Sequence, residues 1–393
     1  MRPEAAGHYI RAIISAVDPK PTFIETENDG LGGVGVPKSL ISAISMASTL
    51  RRRRQRRILA AAGIEKMNTD HYFSQLTRHV KTGSVLTVSI AVLLITSLPA
   101  NSAEIARLTN INNSYPYPSP DGGRIVFQSD RTGVTQIYIM KADGTELRVL
   151  TDDPLGAETP VFSPDGKHIL YAAYVAEGNN DVFMMATDGT GRRRITDGPG
   201  YDGHPHFSFD GKRVVFNSDR TTPDRDAGWS QRWHEIFSVA LDGSDLRKHT
   251  RCQSVCTFGS LSPDGRRVLY RRTIDGPSFS WFLIPGQRNS EVFIADADGA
   301  NEINLSNNAG FDGWPRFSPD GDWIVFASNR AGPAGVGQLY LIKPDGSGLR
   351  RVTNGPWSYV QPAWGVDGSS LYAKQGEETY DHEFGDVVRI RLQ

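Results

Sequence analysis

The chain has 393 residues, with 43 basic and 44 acidic side chains and a formal net charge of −1. That balance offers no basic field to a phosphate backbone, which excludes nucleic acid as a partner class. The 40 glycines and 23 prolines favour many short elements over long helices, and two cysteines are too few for a disulfide framework or a four-thiolate zinc site.

Residues 1–66 show no hydrophobic period and are assigned no fold. Ser84 to Leu98 is an apolar run, shorter than the roughly twenty residues of a spanning helix. Arg78 and Lys81 precede it and the small-residue stretch Pro99 to Ala103 follows, the layout of a secretory signal peptide. Residues 67–103 therefore read as that signal, opening at Met67 and cut after Ser102 or Ala103. Residues 1–66 then read as an upstream extension or a disordered arm, and no membrane span remains after cleavage. The rival reading is an arm ahead of an uncleaved anchor.

From Glu104 onward the sequence repeats itself. Ser-Pro-Asp-Gly starts at Ser119, Ser163, Ser262 and Ser318, with degenerate copies at Ser208 and Gly365. The six aspartates (Asp121, Asp165, Asp210, Asp264, Asp320 and Asp367) are 44, 45, 54, 56 and 47 residues apart. Each token is followed by two β-rich runs, such as RIVFQS and QIYIMKADG, and then by a run with a Leu-Thr-like end. The stretch before each token supplies a fourth strand, and the Asp-Gly pairs supply hairpin turns. Four strands in about 45 residues, six times over, predict an all-β, six-bladed β-propeller over residues 104–393. The last unit lacks an outer strand after Leu392. Glu104 to Thr109 matches that missing piece, so the N-terminal strand should close the ring.

These units resemble the repeats of the TolB-type (PD40, WD40-like) β-propeller family. The likeness is carried by Ser-Pro-Asp-Gly, by Ser-Asp/Asn-Arg at Ser129–Arg131, Ser218–Arg220 and Ser328–Arg330, and by the Leu-Thr ends. It covers residues 104–393 and implies periplasmic protein binding. The α/β domain that TolB carries ahead of its propeller is lacking, so the chain looks like a propeller-only relative.

The innermost strands run toward the Ser-Pro-Asp-Gly turns, which puts those turns on one face, the bottom. The longer loops of the repeat fall on the opposite, top face, where function concentrates. Trp229, Trp233, Trp281, Trp314 and Trp357 map there, with Arg288. Trp and Arg are hot-spot residue types, although long loops also use Trp as their own small core. The residue four before each token forms a tunnel ring of Tyr115, Thr159, His204, Phe258, Trp314 and Gln361.

His204 and His206 stand two apart in a predicted strand, so both imidazoles face one way and are the candidate ligands of a divalent metal. Glu158, Gln361, His382 or Glu383 would have to complete the set. Oligogalacturonate lyases are similar in holding a metal by His and Gln inside a propeller. The plainer reading is two packed histidines. The acidic cluster from Glu377 to Asp386 lacks EF-hand spacing and reads as a solvated loop. The repeated aspartates are turn residues, and the arginines of Ser-Asp-Arg are inter-strand pairs. Cys252 and Cys256 lie in a top loop, and whether they bond is open. No catalytic residue is assigned, since no nucleophile elbow or phosphate loop appears.

The function expected from the sequence is an exported, periplasmic or secreted, monomeric binding module without a required cofactor. It would present Tyr115, Glu158, His204, Trp229, Trp233, Trp281, Arg288, Trp314, Trp357 and Gln361 to an envelope protein or a glycan. The alternative is a metal-dependent carbohydrate lyase or hydrolase using His204 and His206.

Overall fold

The computed structural model describes residues 103–110, 112–227, 232–274, 290–308, 310–331, 336–376 and 385–392. These residues form six four-stranded antiparallel sheets arranged as the blades of a β-propeller. The innermost strands are β2 (Asn113–Pro118), β6 (Ala157–Phe162), β10 (Asp202–Phe207), β14 (Cys256–Leu261), β18 (Asp312–Phe317) and β22 (Ser358–Trp364). The apolar core lies between neighbouring blades. Val126, Ile137 and Ile139 of the first blade, for example, pack with Ala157, Ile169 and Tyr171 of the second.

The ring closes as the sequence predicts. The sixth sheet runs β1 (Glu104–Arg107), β24 (Gly385–Arg391), β23 (Ser370–Gly376), β22, so the first strand of the domain is the outer strand of its last blade. Leu108 continues the pairing by donating its N–H to the Val387 carbonyl at 2.8 Å, and Ile105 packs into the adjacent core. The Leu-Thr tokens explain why this strand substitutes for the missing one. In the other blades the hydroxyl of Thr151, Thr196, Thr250, Ser306 or Thr353 accepts a third-strand N–H at 2.8 to 3.0 Å, where backbone pairing ends. Thr109 does the same for Val387 at 2.9 Å. Asp386 serves this closure, paired with Arg107 at 2.5 Å and bonded by the Thr109 hydroxyl, which places it apart from a solvated acidic loop.

The remaining repeat tokens are scaffold. In the second blade the Ser163 hydroxyl donates to Asp165 Oδ1 at 2.6 Å and accepts the His168 N–H at 2.9 Å, while Gly166 takes a φ of 71°. Where Gly365 replaces the serine, Ser369 donates to Asp367 instead, by N–H at 2.9 Å and by hydroxyl at 2.6 Å. The arginines of Ser-Asp/Asn-Arg lie over aromatic pairs, Arg220 over Phe216 and Phe237 and Arg330 over Phe326 and Tyr340. Arg220 also holds Asp202 at 2.7 Å, and Arg330 holds Asp312 at 2.9 Å, both carboxylates being fully buried. Cys252 and Cys256 are bonded as a disulfide at the start of the fourth blade, with their Cα atoms 6.4 Å apart. That answers the question left open by the sequence.

Two outcomes follow. Deleting residues 104–110 should leave β24 as an open edge and drive the protein into aggregate, read by size-exclusion chromatography beside the full chain. Arg330→Met strands the buried Asp312 carboxylate and should cost about 3–5 kcal/mol in denaturant unfolding.

Candidate functional site

Each innermost strand carries the same irregularity. Its register with the second strand shifts between Ser114 and Tyr117, Glu158 and Val161, Gly203 and His206, Thr257 and Ser260, Gly313 and Arg316, and Val360 and Ala363. One residue in each shift has a left-handed backbone: Tyr115, Thr159, His204, Phe258, Trp314 and Gln361, with φ between 48° and 57°. For a bulky L-residue that conformation costs on the order of 1 kcal/mol or more, and the surrounding sheet must impose it. Proline follows at five of the six positions, which leaves the bulge without a stranded N–H. Gly259 follows Phe258 at the sixth, where a Cβ would meet Ile236 at 2.5 Å.

The six left-handed residues form the upper tier of the tunnel. Phe258 is its centre of packing: His204 is 4.0 Å away between ring centroids, Trp314 6.0 Å, and Tyr115 stacks at 6.3 Å. Behind Phe258 the fully buried Arg271 lays its guanidinium 5.0 Å from that ring and 5.7 Å from Phe311. Two backbone N–H groups of the tier are engaged by neighbouring blades. Gln361 Oε1 accepts the Tyr115 N–H at 3.0 Å, and Gln128 Oε1 accepts the Thr159 N–H at 2.7 Å. His204 Nδ1 is 2.7 Å from Asn217 Oδ1. Burial holds the His204 imidazole neutral, with its pKa pushed down to about 3.

Glu158 sits beside this tier. Its Oε1 accepts from Asn180 Nδ2 at 3.0 Å and from the Tyr201 hydroxyl at 3.2 Å. Desolvation outweighs these two bonds and raises its pKa to about 7. Tyr201 is itself pushed well above the ordinary phenol range by burial and by Glu158. At neutral pH the Glu158 carboxyl is then about half protonated, and in that form it can donate as well as accept.

Two residues further along each strand lies a lower tier: Tyr117, Val161, His206, Ser260, Arg316 and Ala363. Between the tiers the space narrows to about 20 Å³, room for about one water. Below it a vestibule of about 190 Å³ opens among the Ser-Pro-Asp-Gly turns on the bottom face. The sequence reading placed the whole site on the top face and overlooked this tier, although the alternation that singles out His206 also singles out Tyr117 and Arg316.

Of the residues the sequence nominated, the fold brings together Tyr115, Glu158, His204, Trp314 and Gln361. Trp314 is only 4% exposed and is a wall of the tunnel rather than a surface anchor. Trp233 and Trp357 line neither cavity. Trp357 is 38% exposed, and its carbonyl accepts from Gln338 Nε2. Trp229, Trp281 and Arg288, with His382, Glu383 and the acidic cluster from Glu377, lie outside the described residues. His204 and His206 stand at successive depths with separate partners, since the His206 Nδ1–H donates to the Phe207 carbonyl at 2.7 Å. Among the described residues, no group of three or more His, Cys, Asp or Glu side chains is placed to hold a metal ion. Asp202, the acid nearest the pair in sequence, is committed to Arg220.

The TolB beta propeller domain family matches residues 154–282 and 281–387, more than half of the chain. The chain belongs to this family. A protein of Agrobacterium fabrum is 31% identical to it over 119 residues, which cover 30% of this chain and 39% of the relative. A TolB homolog of Chlorobium luteolum is 26% identical over 137 residues, 35% of this chain and 28% of the relative. The chain thus matches less than half the length of these relatives. A solved structure described as TolB from Agrobacterium tumefaciens superposes with a TM-score of 0.51 at 19% identity, over 74% of this chain and 98% of that one. A solved structure described as the tricorn protease does so with 0.51 at 18% identity, over 71% of this chain and 26% of that one. Both likenesses concern the fold.

Glu158 supplies a pH test. Its folded pKa is raised, so its contribution to stability is complete below the unfolded carboxylate value and is lost as pH rises through about 7. Wild-type melting temperature should fall across that range, and Glu158→Gln, which retains an acceptor for Tyr201, should flatten the profile.

Proposed function

We propose that this TolB-type propeller is an exported, periplasmic, non-catalytic binding module. Its ligand, a protein segment or a glycan of the cell envelope, would be held at the upper mouth of the tunnel. One observation carries the reading. The six blades repeat their turns and Thr or Ser bonds, and several their arginine clamps, while the side chains facing the tunnel differ from blade to blade. A scaffold role alone would place no demand for Tyr, Thr, His, Phe, Trp and Gln at six equivalent, strained positions.

The chemistry of the mouth suits recognition. Tyr115 and Trp314 offer aromatic area at low entropic cost, and Glu158 with Tyr201 offers a directional polar pair. Trp357, with Trp229, Trp233, Trp281 and Arg288 in the surrounding top loops, would extend the contact outward. Export through a signal at residues 67–103 is part of this reading, and the Cys252–Cys256 disulfide agrees with an oxidising compartment.

The alternative enzyme built on His204 and His206 has less support, because the two imidazoles have separate partners and no third ligand among the described residues. The test is binding of the full chain to peptidoglycan fragments and to envelope proteins, by calorimetry, beside Glu158→Gln and Trp357→Ala. Saturable binding without product, weakened about tenfold or more by either substitution, a change of about 1.4 kcal/mol, is expected. A ligand that is cleaved, or affinity that neither substitution moves, would reject the reading.

A further inference from the structure

We propose that the lower vestibule is a second binding site, for a carboxylate carried on an apolar body, with the Arg316 guanidinium as its counter-ion. The site opens on the face opposite the upper mouth and does not rest on the function proposed above.

Arg316 projects from β18 into the tunnel and lines both the constriction and the vestibule. Its polar contacts are two carbonyls, with Nη1 donating to Pro315 at 3.2 Å and Phe258 at 3.4 Å. Its remaining electrostatic neighbours are the phenols of Tyr117 and Tyr115 and the neutral imidazoles of His204 and His206. Among the described residues no carboxylate forms an ion pair with it. The contrast with the blade clamps is direct, since Arg194, Arg220 and Arg330 each hold a buried aspartate. A cation taken out of water without an anion is costly, and native structures pair such charges.

A second, independent group points the same way. Ser260, in the same tier, is 1% exposed and its hydroxyl has no hydrogen-bond partner. Tyr117 completes the polar floor, its hydroxyl 3.4 Å from His206 Nε2. A buried hydroxyl left over in the same cavity as a half-buried guanidinium, which no carboxylate among the described residues neutralises, describes a place for an oxyanion.

The surroundings select the kind of anion. Arg316 is the one formal charge among the vestibule residues, which favours a monoanion. A guanidinium fork matches the two oxygens of a carboxylate. The walls are Pro120, Pro164, Phe209, Pro319 and Trp364, which suit an apolar body rather than a hydrated one. The turn aspartates on this face do not line the cavity, and those of the serine-bearing turns are engaged by their own serine and backbone N–H, as Asp165 is. A volume of about 190 Å³ admits a small organic acid or the terminal residue of a peptide, which share this chemistry.

The experiment is calorimetric titration of the full chain with benzoate and with benzamide, and with a tripeptide ending in phenylalanine as free acid and as amide. At least one acid should bind saturably, its amide at least tenfold more weakly. Arg316→Met should erase that preference while melting no lower than wild type, because it removes a charge that lacks a counter-ion. Ser260→Ala should weaken the acid severalfold. Benzoate alone binding makes the source a free small acid, and the peptide acid binding makes it a chain terminus. The proposal is overturned if neither acid binds, if acid and amide bind alike, or if the preference survives in Arg316→Met. It is overturned equally if Arg316→Met melts well below wild type, which would give Arg316 a structural role.

Discussion

The pairing of Glu104–Arg107 with β24 is the constraint on which the rest of the molecule depends. No blade can cover both of its faces alone, so each apolar core is shared between neighbours and the last must meet the first. Closure therefore does more than hide an edge. It fixes the circumference of the ring, hence the width of the tunnel and which side chains meet across it. Tyr115 of the first blade reaches Gln361 of the sixth and Trp314 of the fifth because the ring is shut.

The second determinant is the bulge that every innermost strand carries. Six residues are held in a left-handed conformation that none of them prefers, and the ladder on either side must supply the energy. The bulge opens the ladder beside the axis and stacks two tiers of side chains along it. What the repeat keeps constant therefore stands at the periphery and in the turns, while what varies faces the tunnel. The two ends of the constriction differ in character. Above it a carboxyl, raised to about 7, shares its proton economy with Tyr201. Below it the Arg316 guanidinium has no acid beside it among the described residues. A narrowing of about 20 Å³ keeps the two chemistries apart.

Much of the scaffold was legible in the residues. The aspartates at near-regular spacing fixed the blade count, and the orphan Leu-Thr of Arg107 to Thr109 announced how the ring closes. Both are local signals, repeated often enough to rise above chance. The reading of the turn aspartates and of the Ser-Asp-Arg arginines as structural holds for the same reason, since a role played in several equivalent places is a property of the unit. The proline after five of the six tunnel residues was equally visible. It marks a bulge in a strand that would otherwise be continuous, and the sequence reading did not use it.

The sequence by itself determined the six-bladed architecture, its closing strand and the upper ring from Tyr115 to Gln361, because period and turn chemistry are properties of neighbouring residues. The tertiary structure alone decided the states of the groups inside. Glu158 owes its raised pKa to burial, which outweighs the hydrogen bonds it accepts from Asn180 and Tyr201, 22 and 43 residues away. Trp314 is a wall within β18 and Trp357 a surface residue, although the sequence maps both to the top face. Arg316 differs from Arg194, Arg220 and Arg330 in that no aspartate among the described residues pairs with it. These are facts about distances between blades and about water excluded from a closed ring, and no spacing along the chain encodes them.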